Sequence, residues 1–479
     1  MSEPLLPHEP QGKLEGGSGG VPTKPENEGW LPKRRLISLL MMFGFWNVYA
    51  MRVNLSSAVE PMQEKYGWDE ATKGLVLSSF FWGYVPFQVV GGLIAQRVGG
   101  KVVLGAGIAV TAVLTLAIPL CASSLNALYA LRALMGAGEA VTYPAANVLY
   151  TQWMPSSERA ALVAFANAGS YLGTALAFPI CGEVIGMAND TSTYIDSKGV
   201  QQTGISTTWP SVFYIFGALG VCWVGAWQLL ATATPEEMKG MRDDELRFVV
   251  ATRGEDADAV MEKVTVAKSA SPPWRAFLTH RAAWAIYINH SASNWGAYTL
   301  LTFLPDYMDT QLNFDIKSSG VLSMLPYLLM FLCSAGAGAV SDRLVRRMSV
   351  RRVRILVQCT SFWLAGATLI LTGYMENSSA AVVLLTISIG ISGMSAAAYN
   401  TNYIDVSPHY AGQIFSIGNT IANITGIVTP IVTGQILGDK DSASKDKWRS
   451  VFFISAGFYG FATVVWILFM SGKPVAALN

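Results

Sequence analysis

Twelve apolar stretches run along the chain, each close to the roughly 20 residues that a membrane-spanning helix needs. The first six cover residues 36–59, 73–95, 101–121, 125–150, 159–183 and 209–231. The second six cover 282–304, 318–341, 353–374, 379–401, 412–436 and 449–471. Between them lies a polar segment, 232–280, containing PEEMKGMRDDELRF and EDADAVMEK. This pattern predicts an all-α membrane protein with twelve transmembrane helices in two six-helix bundles. The domain reading is a bundle over 36–231, a cytosolic linker over 232–280, a bundle over 281–471 and a cytosolic tail over 472–479. Residues 1–35 are rich in Gly, Pro, Glu and Lys and are expected to be disordered. They hold no apolar core of the kind that marks a cleaved signal peptide.

The two halves share a local signature. Gly92-Leu-Ile-Ala-Gln96-Arg97 closes the second span, and Gly338-Ala-Val-Ser-Asp342-Arg343 closes the eighth. In both, a glycine permits close helix approach and an arginine can stay at the cytosolic surface. Lys33, Arg34, Arg35, Arg97, Lys101 and the run Arg343, Arg346, Arg347, Arg351, Arg352, Arg354 set the orientation. By the positive-inside rule both termini and the linker face the cytosol. Asn189-Asp-Thr and Asn377-Ser-Ser then fall on the opposite side as glycosylation acceptors, while the Asn54, Asn289 and Asn423 sequons lie within spans.

Composition agrees. The chain is 52% hydrophobic and only 14% charged, against about 25% charged in soluble domains. A net charge of +1 argues against nucleic acid as a partner. All five cysteines fall in apolar stretches, with no spacing that suggests a disulfide or metal site. The four histidines, His8, His280, His290 and His409, are scattered. A polytopic membrane enzyme would instead gather a nucleophile and base near one membrane face. No cofactor is expected.

Three charges interrupt the apolar pattern. Arg52 lies in span 1, and Arg132 and Glu139 lie in span 4. A charge at that depth costs at least ~2.5–3.5 kcal/mol, so such residues face a protected polar cavity. Helical rise puts both arginines ~10 Å below the outer surface and Glu139 ~10 Å deeper. Arginine suits carboxylate or phosphate because its planar fork donates two parallel hydrogen bonds. A carboxylate in a low-dielectric cavity can exchange protons near physiological pH. The competing reading is an Arg–Glu pair that locks span 4 to a neighbour; it leaves the second arginine unexplained. Tyr84, Tyr143, Asn294 and Tyr298 are candidate cavity-lining residues, and Asn147 is another. His290 reads as a packed neutral side chain or a proton carrier. Pro86, Pro144, Pro179 and Pro430 are expected to bend their helices.

The paired loop signature matches that of major facilitator transporters, with Gln96 in place of the usual acid. Further segments sharpen the resemblance: Val48-Tyr-Ala-Met-Arg52-Val-Asn54-Leu-Ser56, Ser79-Phe-Phe-Trp-Gly-Tyr84, Leu131-Arg132-Ala-Leu-Met-Gly-Ala-Gly-Glu139-Ala-Val-Thr-Tyr-Pro144, Asn294-Trp-Gly-Ala-Tyr298 and Asn402-Tyr-Ile-Asp405. They resemble the anion–cation symporter branch of that superfamily, which includes sialin, the vesicular glutamate transporters and type I sodium-dependent phosphate cotransporters. The run Val98–Ile108 is sialin-like. Leu77 and Ser293 stand where vesicular glutamate transporters have His and Arg, which counts against a dedicated glutamate carrier. Met135 and Asn147 stand where sialin has a second acid and a His.

The resemblance implies a monomeric, proton-coupled transporter of small organic anions: sialic acid, other acidic sugars or acidic amino acids. Arg52 and Arg132 would bind the carboxylate and Glu139 would carry the proton. The alternative is sodium-dependent phosphate or organic-anion cotransport at the plasma membrane. Glu3-Pro4-Leu5-Leu6 resembles an acidic dileucine sorting signal and favours the lysosomal membrane, with the plasma membrane or a synaptic-type vesicle as alternatives.

Overall fold

The structure is a computed structural model. It describes residues 30–155, 158–186, 191–195, 201–205, 208–251, 273–408, 410–438 and 444–479. The first bundle comprises α1 (Lys33–Tyr66), α2 (Glu70–Val98), α3 (Gly100–Cys121), α4 (Leu125–Ala140), α5 (Thr142–Trp153), α6 (Arg159–Gly186) and α7 (Trp209–Leu230). A short antiparallel hairpin, Thr191–Ile195 with Gln201–Ile205, lies between α6 and α7. The linker contributes α8 (243–251) and α9 (Trp274–Thr279). The second bundle comprises α10 (Arg281–Thr310), α11 (Ile316–Val345), α12 (Val350–Thr372), α13 (Ser378–Ser392), α14 (Ala396–Val406), α15 (Ala411–Leu437) and α16 (Lys445–Phe469).

These elements make twelve spans because the fourth and tenth are each broken in two. Nine described helical segments are long and apolar enough to cross a membrane by length and composition, with α13 and α14 forming one of them. The α4–α5 pair, α2 and α10 complete the set. The fourth span breaks at Val141, three residues before Pro144, which has no N–H to donate to the carbonyl of Ala140. The tenth breaks at a 3₁₀ turn, Gly393–Ser395. Large apolar side chains such as Leu229, Leu332 and Leu468 stay exposed on the outer surface of the helices, where a bilayer replaces water as the solvent.

The repeat shows in the helix caps as well. Asp69 accepts from the Thr72 amide at the start of α2, and Asp315 accepts from the Ser318 amide at the start of α11. Each carboxylate satisfies an orphan N–H and meets the positive end of the helix dipole. Before Asp69, Gly67 ends α1 at φ 66°, a left-handed conformation that glycine adopts without strain.

The bundles meet along two seams, α2 with α15 and α6 with α11. Both are tight toward the non-cytosolic end. A methyl group at Gly74 would overlap the Pro430 carbonyl, one at Gly434 the Glu70 carbonyl, and one at Gly320 the Phe178 carbonyl. Seam contacts reach mid-depth, where Asn419 donates to Gln88 (3.2 Å) and Tyr171 meets Phe331. Toward the other end Leu93, Ile94 and Val98 on α2, Phe165 on α6 and Phe415 on α15 are exposed. The tight glycine contacts of both seams thus lie at the end where α2 and α11 begin.

The start of α1 departs from the sequence reading, and the linker and tail add packing to it. α1 begins at Lys33, inside the segment expected to be disordered, because α8 docks on its end. Glu245 accepts from the backbone amides of Lys33 and Arg34 and from the Arg34 guanidinium (3.1 Å), and Arg34 also pairs with Glu158 (2.8 Å). The linker is therefore not wholly solvated: Phe248 and Val249 are buried. The C-terminal tail also packs, with Leu478 buried and Val475 donating to the Val406 carbonyl. Residues 1–29, including Glu3-Pro4-Leu5-Leu6, and Asn189 lie outside the described residues. Asn377 is exposed and N-caps α13.

Candidate functional site

The site grows from a close helix contact. A methyl group at Gly83 would overlap the Ala133 carbonyl, and one at Gly136 would overlap the Phe80 carbonyl. Small residues thus let the α2 and α4 backbones touch, as in other membrane bundles. That contact delivers Phe80 of α2 onto both arginines. Its ring lies 4.9 Å from the Arg52 guanidinium carbon and 5.2 Å from that of Arg132.

Arg52 is boxed by aromatic faces. Tyr49 lies at 4.7 Å and Tyr84 at 4.8 Å, distances at which ring quadrupoles attract a cation. Its Nη2 donates to Oε1 of Glu139, forming a buried ion pair. Helical rise alone placed Glu139 a level below both arginines; the Arg52 side chain reaches down across that gap. Glu139 keeps its second carboxylate oxygen without a hydrogen-bond partner among the described residues.

Arg132 differs. It is 2% exposed, yet neither Nε nor Nη1 finds a hydrogen-bond partner among the described residues. A buried guanidinium with donors unmet is costly; among the described residues the Phe80 ring and the Glu139 charge offset part of that cost. Two cations and one anion leave the cluster with an uncompensated positive charge.

The remaining candidates fall around this cluster. Tyr143 shares a 3.0 Å hydrogen bond with Tyr49 and packs on Phe45. Tyr298 comes from the other bundle: it meets Phe81, donates to Asn423 Oδ1 (2.6 Å) and lies close enough to Arg52 to feel its charge. Asn294 sits one turn earlier on α10 and is half-buried; no hydrogen bond joins it to the cluster among the described residues. Two other acid–base candidates lie elsewhere. His290 is packed, its Nδ1 3.2 Å from the Tyr403 hydroxyl and its ring stacked on Tyr399. Glu183 pairs with Lys317 across the bundles near the outer surface (2.9 Å).

Tyr49, Phe80 and Asn423 were not singled out as site residues from sequence. Aromatic and amide residues are common in packed membrane helices, so only their position beside Arg52 and Tyr298 marks them. Among the described residues no cluster of His, Cys, Asp or Glu could hold a metal ion, and all five cysteines are free.

Comparison with known proteins gives the family and the fold. The family model for the Major Facilitator Superfamily matches residues 37–430. A probable chloroplastic anion transporter 4 of Oryza sativa subsp. japonica is 36% identical over 448 residues, covering 93% of this chain and 70% of that protein. Sialin of Homo sapiens is 33% identical over 474 residues, covering 91% and 89%. Among solved structures, a bacterial homologue of the human lysosomal transporter Spinster, inward-facing and unoccupied, superposes with a TM-score of 0.73 at 16% identity, covering 92% of this chain and 97% of that one.

Proposed function

This chain belongs to the major facilitator superfamily, in its sialin-like anion–cation symporter branch, and we propose that it carries small organic anions together with protons by alternating access. Family membership makes it a transport protein rather than an enzyme. The observation that carries the proposal is the unpartnered guanidinium of Arg132, buried beside a second arginine whose own partner is a carboxylate. A site with a net positive charge and unmet planar donors is complementary to a carboxylate.

Arg132 would take the anion by its free donors, and Tyr84, Tyr143, Tyr298 and Asn294 would surround it. The anion also competes with Glu139 for Arg52. Once the arginines are neutralised by the cargo, an ionised Glu139 loses its compensation, and its protonated form is favoured. Anion and proton then travel as a pair. With the site open inward both would leave toward the cytosol, and the bundles would rock about the site to reload from the other side. An acidic organelle, the lysosome in the first instance, would supply the proton gradient. The preferred cargo is sialic acid, another acidic sugar or an acidic amino acid.

The test is uptake by proteoliposomes under an imposed pH gradient, offering sialic acid, glutamate, aspartate and phosphate, each with and without sodium. Sodium-independent accumulation of an organic anion that collapses with the pH gradient is expected. Accumulation that requires sodium and ignores the pH gradient would overturn the proton-coupled reading.

A further inference from the structure

A second buried charge cluster lies far from the anion site, and no part of the proposed carboxylate and proton chemistry uses it. Lys73, near the start of α2, is completely buried. Its Nζ lies 2.8 Å from Glu70 of the same helix and 2.9 Å from Asp306 near the end of α10. Gln63 of α1 donates to Glu70 (2.7 Å), and the Glu60 charge acts on the same lysine. Lys73 and Asp306 belong to different bundles. Eleven residues separate Lys73 from Tyr84, so the cluster sits ~16 Å toward the non-cytosolic side of the Arg52 box. It lies in the region where the α2–α15 seam is closed most tightly, beside Gly74 and Gly434.

We propose that Lys73 is the latch of the non-cytosolic gate, holding the bundles together through Asp306 in the inward-open state. Among the described residues the Lys73 ammonium joins acids of both bundles. Parting the bundles on that side separates it from Asp306, leaving it with Glu70 and the Glu60 charge of its own bundle. The pair therefore favours the inward-open state and must break in every transport cycle. Removing Lys73 leaves Asp306 buried without its cation, which water entering from the outer side would relieve; removing Asp306 leaves Lys73 held only within its own bundle. This inference depends on the bundle arrangement and not on which anion is carried.

A cysteine placed at Leu77, one turn deeper on the same face of α2, reports the outer pathway. Sealed vesicles of known orientation are treated on the non-cytosolic side with a membrane-impermeant thiol reagent. Labelling of the same chain lacking Leu77→Cys is subtracted. Lys73→Gln and Asp306→Asn should each raise labelling at least about tenfold. The swapped chain, Lys73→Asp with Asp306→Lys, should return it to the original level. Single variants that label like the parent overturn the latch. So does a swapped chain that labels no less than the singles. Should a single variant fail to accumulate, the swap decides alone: parent-like labelling supports the pairing, and high labelling or failure to accumulate contradicts it.

Discussion

Arg52 of α1 and Glu139 of α4 form a buried ion pair, while Arg132, on the same helix as Glu139, keeps two donors without partners. The two arginines thus differ in their surroundings. Arg52 is held by an acid, and Arg132 is the one that the proposed anion would occupy.

Arg132→Ala should cut anion uptake about 30-fold or more, the scale for removing one partner of a buried charge pair. Arg132→Lys should recover little of this, because an ammonium keeps the charge but not the planar fork. Both are read as initial uptake rates in proteoliposomes containing equal amounts of folded protein. Near-parental uptake by the Lys variant would argue against recognition by the fork.

Glu245 holds the start of α1 from the linker, a structural task distinct from transport. Glu245→Ala strips the backbone amides of Lys33 and Arg34 of their acceptor and removes one of the carboxylates that hold the Arg34 guanidinium. A loss of about 3 kcal/mol is expected for such a buried pair, seen as a fall of several degrees in the apparent melting temperature. Glu245→Gln, which keeps an acceptor but loses the charge, should fall between. An unchanged melting temperature in the Ala variant would show that α8 does not secure α1.

At the outer surface the Asp69 carboxyl is held below the usual aspartate range by hydrogen bonds from the Thr72 hydroxyl and amide. A lowered folded-state value means that the cap stabilises above the ordinary Asp pKa and is lost only as pH falls through the lowered one. The cap therefore survives at mildly acidic pH. Asp69→Ala should cost about 1 kcal/mol, and the deficit should be the same at pH 7 and pH 5. Melting curves across that range check this; a deficit already gone at pH 5 would contradict it.

Much of this arrangement was legible in the sequence. Twelve apolar stretches gave the spans, and Arg52, Arg132 and Glu139 stood out because charge is rare in such stretches. Lys73 and Asp306 did not. Lys73 opens one predicted span and Asp306 falls two residues beyond another, positions where a charge can ordinarily reach water. Only the packing of two bundles against each other buries them. Docking of α8 was hidden similarly: Glu245 sits in a charge run that reads as solvated, and its partner Arg34 is distant in sequence.

The sorting reading rests on Glu3-Pro4-Leu5-Leu6. Leu5→Ala combined with Leu6→Ala should move the protein from lysosomes to the cell surface, followed by surface biotinylation and co-localisation. A parent protein already resident at the surface would contradict the lysosomal assignment. Relocation would also make transport measurable in whole cells at acidic external pH.

The coupling role of Glu139 is the central claim, and one pair of assays on Glu139→Gln tests it most directly. The glutamine mimics the protonated acid. In the same liposomes, anion exchange across the membrane should persist, while accumulation driven by a pH gradient should disappear. Retained pH-driven accumulation would contradict Glu139 as the proton carrier. Loss of both activities in folded protein would contradict it too, assigning the Arg52–Glu139 pair to structure alone.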